Sequence, residues 1–118
     1  MGGDGGASLM ELILQRTRIH RDTTDGYITI DGAKVCDTAE RTPVMLPPGR
    51  YPLTRRNTYL SAGNGTYTLR APTIIVGEHL VRGVVIRSYP TYIRIYERLK
   101  KAFGRKKEVV LEVRDLRH

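Results

Sequence analysis

A two-residue turn constrains this chain more than any other local feature. Tyr27-Ile28-Thr29-Ile30 alternates in polarity, Asp31-Gly32 follows, and Ala33-Lys34-Val35-Cys36-Asp37-Thr38 alternates again. An Asp-Gly pair between two alternating runs favours a type I′ turn, because both central residues need positive φ and Asp and Gly tolerate it best. This predicts a β-hairpin, and so an antiparallel sheet. Upstream, Met10 to Ile19 reads as a further strand, with Met10, Leu12 and Leu14 on one face and Glu11 on the other. A polar turn over His20 to Gly26 is expected to join it to the hairpin.

The rest of the chain continues in short β segments. Glu40 to Leu46 reads as a connector, and Pro47-Pro48-Gly49 as a strong turn. Arg50 to Arg56 is an expected strand in which Pro52 marks an edge or a bulge. Ser61 to Gly65 is a loop, Thr66 to Arg70 alternates weakly, and Thr73-Ile74-Ile75-Val76 is a buried-type run ending at Gly77. Leu80 to Arg87 reads as a strand interrupted at Gly83. One helix follows. Ser88 is the expected N-cap, Pro90 sits in the first turn, and Tyr92, Ile95, Tyr96, Leu99 and Phe103 recur at helical spacing. Gly104 is the expected C′ residue, and Val109 to Val113 is a last strand pairing back onto the sheet. The fold predicted is mainly β (α+β): a compact antiparallel sandwich or partly closed barrel with one C-terminal amphipathic helix before the last strand. Residues 10–118 form a single domain. Residues 1–9 are Gly-rich and patternless, a flexible leader or a remnant of expression cloning.

Several classes of function are poorly served by this sequence. No apolar run approaches the roughly 18–20 residues of a membrane span, and the N-terminus lacks the basic and apolar regions of a secretory signal. A cytoplasmic or virion-associated protein is expected. Cys36 is the only cysteine, so no internal disulfide can form, and a buried structural thiol is the reading. His20, His79 and His118 have no ligand partner at metal-binding spacing. Asp22 and Asp25 flank Thr23-Thr24 without the alternating acidic pattern of a calcium loop. Gly63-Asn64-Gly65 lacks the Lys-Ser/Thr pair of a phosphate loop. No cofactor or metal is expected. Asp37 and Glu40 are read as turn-capping, solvated acids.

The charge is the most suggestive global property. The chain carries 20 Lys and Arg against 12 Asp and Glu, a net charge of +8, so polyanions such as nucleic acid or acidic cell-wall polymers are attracted. Arg94, Arg98, Lys101, Arg105, Lys106 and Lys107 lie on or just after the helix and form the candidate polyanion-binding set. Tyr92, Tyr96 and Phe103 are interleaved with them. Aromatics and cations together can stack bases and hold phosphates, but these aromatics also lie on the apolar stripe, where packing on the sheet is expected.

Three stretches carry a family resemblance: Val35-Cys36-Asp37-Thr38-Ala39-Glu40, Leu46-Pro47-Pro48-Gly49-Arg50-Tyr51-Pro52-Leu53, and Ile74-Ile75-Val76-Gly77-Glu78 running into Val81-Arg82-Gly83. In order and spacing, from about Met10 to Val113, they resemble a family of small bacterial and phage domains of unknown function. That family's His and Gly-Cys are similar in turn to the active-site signature of L,D-transpeptidases, in which a cysteine thiolate attacks a peptidoglycan peptide and a histidine takes its proton. In this chain Gly63-Asn64 fits the family's Gly-Asn, the His falls on Ser61, and the Gly-Cys falls on Pro72-Thr73. The resemblance implies a candidate cleft at Ser61, Gly63, Asn64 and Thr73 with no catalytic residue. It implies a non-catalytic binding or structural module, a pseudoenzyme descended from an envelope-acting ancestor. The alternatives are a basic accessory protein contacting nucleic acid, and a peptidoglycan-directed hydrolase or transpeptidase with a rearranged site.

Overall fold

Strand β1 (Leu9–Ile19) buries Met10, Leu12 and Leu14 as the alternation predicts, and starts one residue before the expected Met10. The computed structural model describes residues 9–116; of the leader expected over 1–9, residues 1–8 lie outside the described residues, and Leu9 is not leader but the first residue of β1. β2 (Thr23–Ile30) and β3 (Ala33–Arg41) form the predicted hairpin, with Asp31 at φ 48° and Gly32 at φ 92°. Asp31 also ties the turn to β1: its carboxylate accepts the Glu11 N–H at 2.9 Å, and its own N–H donates to the Glu11 carbonyl at 2.9 Å.

Both hairpin strands are longer than expected. The turn before β2 is confined to His20-Arg21-Asp22, because Thr24 to Gly26 pair with both β1 and β3, and Thr23 pairs with Arg41 at the end of β3. Gly26 belongs to this ladder for steric reasons, since a Cβ there would lie 2.6 Å from the Gln15 carbonyl. Ala39, Glu40 and Arg41 are drawn into β3 by the same pairing, so the connector begins only at Thr42, with a single 3₁₀ turn (Thr42–Val44).

β4 (Gly49–Pro52) is shorter than the predicted strand. It lies at the outer edge of the sheet, as Pro52 indicates, and the chain leaves it for a tight turn in which Thr54 and Asn57 exchange backbone hydrogen bonds. β5 (Leu60–Ser61) pairs in parallel with β6 (Ile74–Val81). Between them Thr66 to Arg70 forms a turn closed by Leu69 N–H on the Thr66 carbonyl, not a strand. β6 turns at Arg82-Gly83 into β7 (Val84–Ile86), with Gly83 at φ 77°.

Helix α1 (Ser88–Gly104) has different ends from those predicted. Ser88 does not cap it: its hydroxyl donates to the Val76 carbonyl at 2.6 Å and accepts the Gly63 N–H at 2.9 Å, bridging sheet and loop. At the other end Gly104 stays helical. The left-handed residue is Lys106, at φ 58°, and Lys106 and Lys107 N–H groups close a Schellman motif on the Phe103 and Ala102 carbonyls. α1 carries the chain across the sheet to β8 (Glu108–Arg114), which inserts between β1, in parallel, and β4.

The product is one curled, half-barrel sheet of eight strands in the order β4-β8-β1-β2-β3-β6-β5, with β7 on β6, and α1 against its inner face. Ile95, Leu99 and Ala102 of α1 meet Leu12, Leu14, Ile28, Ile30, Val76 and Leu111 in the main core. A second, small cluster of Ala39, Ile75 and Val85 occupies the opposite face of β3 and β6. No described helix is long and apolar enough to cross a membrane.

One polar pair sits inside the barrel. Arg16 and Glu40 are both buried and meet in a bidentate pair, Nε to Oε1 at 3.1 Å and Nη2 to Oε2 at 2.8 Å, with Nη2 also donating to the Leu46 carbonyl at 2.7 Å. Glu40 is therefore not the solvated, turn-capping acid expected. The extension of β3 puts it on the inward face with Cys36 and Thr38, and burial pushes its carboxyl up while Arg16 pulls it back only in part. Arg16 Nη1 and Thr38 Oγ1 have no partner among the described residues.

Candidate functional site

Helical spacing gives α1 two chemically distinct flanks beside its buried stripe. Tyr92, Tyr96 and Phe103 share one side, and Arg94, Arg98, Lys101 and Arg105 share another. The interleaved aromatics and cations of the sequence are thus separated in space, and each flank faces a different depression.

The aromatic flank forms a wall of a polar cleft of about 410 Å³. Arg55, Arg56 and Asn57 enter it from the turn after β4, Tyr59 and Ser61 from β5 and its approach, and Pro72 and Thr73 from the segment before β6. Tyr92 and Tyr96 are half-buried and stacked, with ring centroids 5.8 Å apart and planes 22° from parallel. The Arg55 guanidinium lies over the Phe103 ring, 5.9 Å from its centroid. Tyr59 stands edge-on to Tyr51 with centroids 5.8 Å apart. Tyr92 and Phe103 do pack against the main core, as expected, while Tyr92 and Tyr96 remain open to this cleft. The arginines that accompany the tyrosines are therefore Arg55 and Arg56, which lie in a turn and not in the strand expected over Arg50 to Arg56.

The family-motif positions divide. Ser61 and Thr73 line this same cleft, together with Pro72. Gly63 and Asn64 do not: the Gly63 N–H is held by Ser88, and Asn64 is exposed on the loop. The Ser61 hydroxyl donates to the Ala62 carbonyl at 3.1 Å and the Thr73 hydroxyl to the Ala71 carbonyl at 3.1 Å. A serine or threonine nucleophile needs a base in hydrogen-bond reach. The lining of the cleft includes no His, Asp, Glu, Lys or Cys.

On the other flank, Arg98, Lys101, Arg105 and Lys107 surround a depression of about 160 Å³ floored by Met10 and Ala102. Lys107 joins it because the Schellman turn brings the chain back under the helix end. Lys106, at the left-handed position, is exposed outside it, and Arg94 lines a neighbouring depression with Lys34, Cys36, Asp37 and Glu78. None of these helix cations forms an ion pair among the described residues. The carboxylates engaged in ion pairs meet cations elsewhere, such as Arg50 with Glu11 and Glu112.

A third cluster was not legible in the sequence. His79 lies between Asp25 and Asp37, with Nε2 2.8 Å from the Thr38 carbonyl and 3.8 Å from Asp25 Oδ1, and Nδ1 3.9 Å from Asp37 Oδ1. Asp25, expected in a polar turn, lies in β2 and is buried; it accepts the Gly83 N–H at 2.9 Å and meets Arg18 at 3.3 Å. Asp37 accepts the His79 N–H at 3.0 Å and pairs with Lys34 at 2.9 Å. Burial alone would raise the Asp37 carboxyl, but the His79 N–H and Lys34 outweigh it and hold the group below the usual carboxylate range. These acids clamp the β6–β7 hairpin onto β2 and β3. Among the described residues, no group of three such side chains is placed to hold a metal ion. Cys36 is buried, and burial pushes its thiol up to about 12.

Set against known proteins, the chain matches no family model, no curated protein and no solved structure.

Proposed function

We propose that this domain is a non-catalytic binding module for a polyanion, held on the cationic flank of α1. The observation that carries the reading is the convergence of Arg98, Lys101, Arg105 and Lys107 on one depression with no carboxylate in its lining. Unpaired cations at that density repel one another, and an anion relieves the repulsion while releasing condensed counterions from the polymer. The motif resemblance adds a context: a phage or bacterial module descended from an envelope-acting ancestor, with Ser61 and Thr73 where a histidine and a cysteine would act. A rearranged transpeptidase or hydrolase gains no support from a cleft whose hydroxyls have no base.

Four phosphates contacted give a log-affinity slope of about −3.6 against log salt on duplex DNA, a loss of roughly 100-fold between 50 and 200 mM. The test is fluorescence anisotropy with labelled DNA over a salt series, on the wild type and on R98E/K101E/R105E. The expected result is sequence-independent binding with that slope, and a flatter slope with weaker binding in the variant. Binding absent at low salt, or unchanged by the triple reversal, refutes the reading.

A further inference from the structure

The geometry points to a second subsite on the opposite flank of α1: we propose that the Tyr92–Tyr96 cleft seats an unstacked nucleotide, so that the polyanion bound is single-stranded nucleic acid. The inference rests on the polyanion reading for its partner class but on different residues for its evidence.

The cleft joins two chemistries that a nucleotide needs together. Its aromatic wall is a pair of stacked, half-buried tyrosines. A base can extend such a stack whatever its sequence, because every base offers a π face. The opposite wall brings Arg55 and Arg56 from an exposed turn, and neither forms an ion pair among the described residues. Arg55 already lies over Phe103, 5.9 Å from the ring centroid, and its guanidinium carries donors that suit phosphate oxygens. Thr58, Ser61 and Thr73 add hydroxyl-bearing positions for sugar or base edges.

The same features argue against the other polymers. A neutral glycan would stack on the tyrosines, but it would gain only neutral-acceptor hydrogen bonds from the two arginines, with no charge to pair them. A free phosphate would gain nothing from the aromatic wall. Duplex DNA presents its phosphates to any cationic surface, but its bases are covered on both faces by their neighbours and cannot reach the tyrosines. Single-stranded nucleic acid alone satisfies both walls.

The experiment uses the full chain and a labelled 15-nucleotide oligothymidine, free or annealed to oligodeoxyadenosine. Because the protein has seven tyrosines and no tryptophan, its intrinsic fluorescence is tyrosine emission and gives a second, label-free readout. The expected result is tighter binding of the single strand, with tyrosine quenching on saturation. Y96A should weaken the single strand roughly 5- to 150-fold, the range for losing one stacked base. It should change duplex binding less than twofold, while Y96F keeps the affinity. R56A, at an exposed position whose loss cannot unfold the core, should weaken the single strand more than the duplex. R98E/K101E/R105E should weaken both forms together. Equal loss of single strand and duplex in Y96A, or no loss in either Y96A or R56A, overturns the cleft proposal and leaves the polyanion reading standing. Absence of binding to both DNA forms at low salt overturns both. Displacement of the oligonucleotide from the wild type by neutral peptidoglycan fragments at matched concentration would assign the cleft to a glycan and overturn the proposal.

Discussion

Removing either partner of the buried Arg16–Glu40 pair should damage this fold more than removing both. Each side chain is almost fully enclosed, at 0% and 1% exposure, so its charge is stabilised by its partner and not by water. Glu40→Ala leaves the guanidinium with only the Leu46 carbonyl. Stranding a buried charge in this way costs about 3–5 kcal/mol. A domain of this size has roughly 5–15 kcal/mol in total, so the single variant loses about a fifth of its stability or more. Arg16→Met/Glu40→Leu removes both desolvated charges, their mutual hydrogen bonds and the unpartnered Nη1 together, and leaves only the Leu46 carbonyl without its donor, which costs about 1–3 kcal/mol. The double variant should therefore lie within about 2 kcal/mol of wild type in either direction. Urea denaturation followed by circular dichroism reads this directly. With a slope of about 1.5 kcal/mol per molar, a loss of about 4 kcal/mol lowers the midpoint by about 2.7 M. A midpoint within about 0.5 M of wild type for Glu40→Ala would refute the burial argument. A double variant more than about 2 kcal/mol less stable than wild type would show that the pair is net stabilising against an apolar replacement.

Two further outcomes follow from local geometry. Gly32→Val should cost about 1–2 kcal/mol through backbone strain alone, because φ is +92° there and nothing lies within 4 Å of an added Cβ; an unchanged denaturation midpoint would remove the type I′ assignment. Cys36, raised from near 9 in the unfolded chain to about 12 in the fold, stays a thiol after the unfolded thiol has ionised, so the stability it contributes is complete below pH 9 and falls away as pH rises toward 12. Between pH 9 and 10 this amounts to about 1 kcal/mol. It should be absent in Cys36→Ala, and native protein should react with a thiol reagent far more slowly than unfolded protein; equal alkaline slopes or rapid native labelling would contradict the burial of the thiol.

What the sequence made legible was whatever is encoded by neighbours. The Asp31-Gly32 turn, the buried face of β1, the edge position of Pro52 and the apolar stripe of α1 each follow from a few adjacent residues, and each is found. The ends of elements were less legible because distant pairing sets them. Thr23 to Asp25 look like a turn until β3 extends far enough to pair with them. Ser88 looks like a cap, but the Val76 carbonyl and the Gly63 N–H claim its hydroxyl first. Gly104 looks like the residue that ends α1, yet Lys106 takes the left-handed conformation so that Lys107 can close the Schellman bond. The candidate site divides the same way. The cations of α1 are one helical face and could be read off the spacing. The arginines opposite the tyrosines come from a turn about forty positions upstream, and no local pattern links Arg55 or Arg56 to Tyr92 or Tyr96.

Backbone strain gives the cleft a significance that its composition does not. Four non-glycine residues in the described chain have positive φ: Asp31, Tyr59, Arg87 and Lys106. Asp31 serves the hairpin turn, Arg87 begins α1, and Lys106 ends it. Tyr59, at φ 61°, serves neither a hairpin nor a helix end. A bulky residue in that region costs about 1–3 kcal/mol and persists only where its surroundings over-determine it. They do so here: Asn57 Oδ1 accepts the Tyr59 N–H at 3.2 Å, and the Tyr59 carbonyl accepts the Ile74 N–H at 2.7 Å, so the turn and β6 hold the backbone between them. Glycine would satisfy the same backbone at far lower cost. What a tyrosine adds is its ring, braced edge-on by Tyr51 and lining the cleft between the Arg55-Arg56 turn and the tyrosines of α1. Residues in strained conformations cluster where a surface must hold a set shape for a ligand, and in this domain the strain without a turn or cap to explain it lies at that wall.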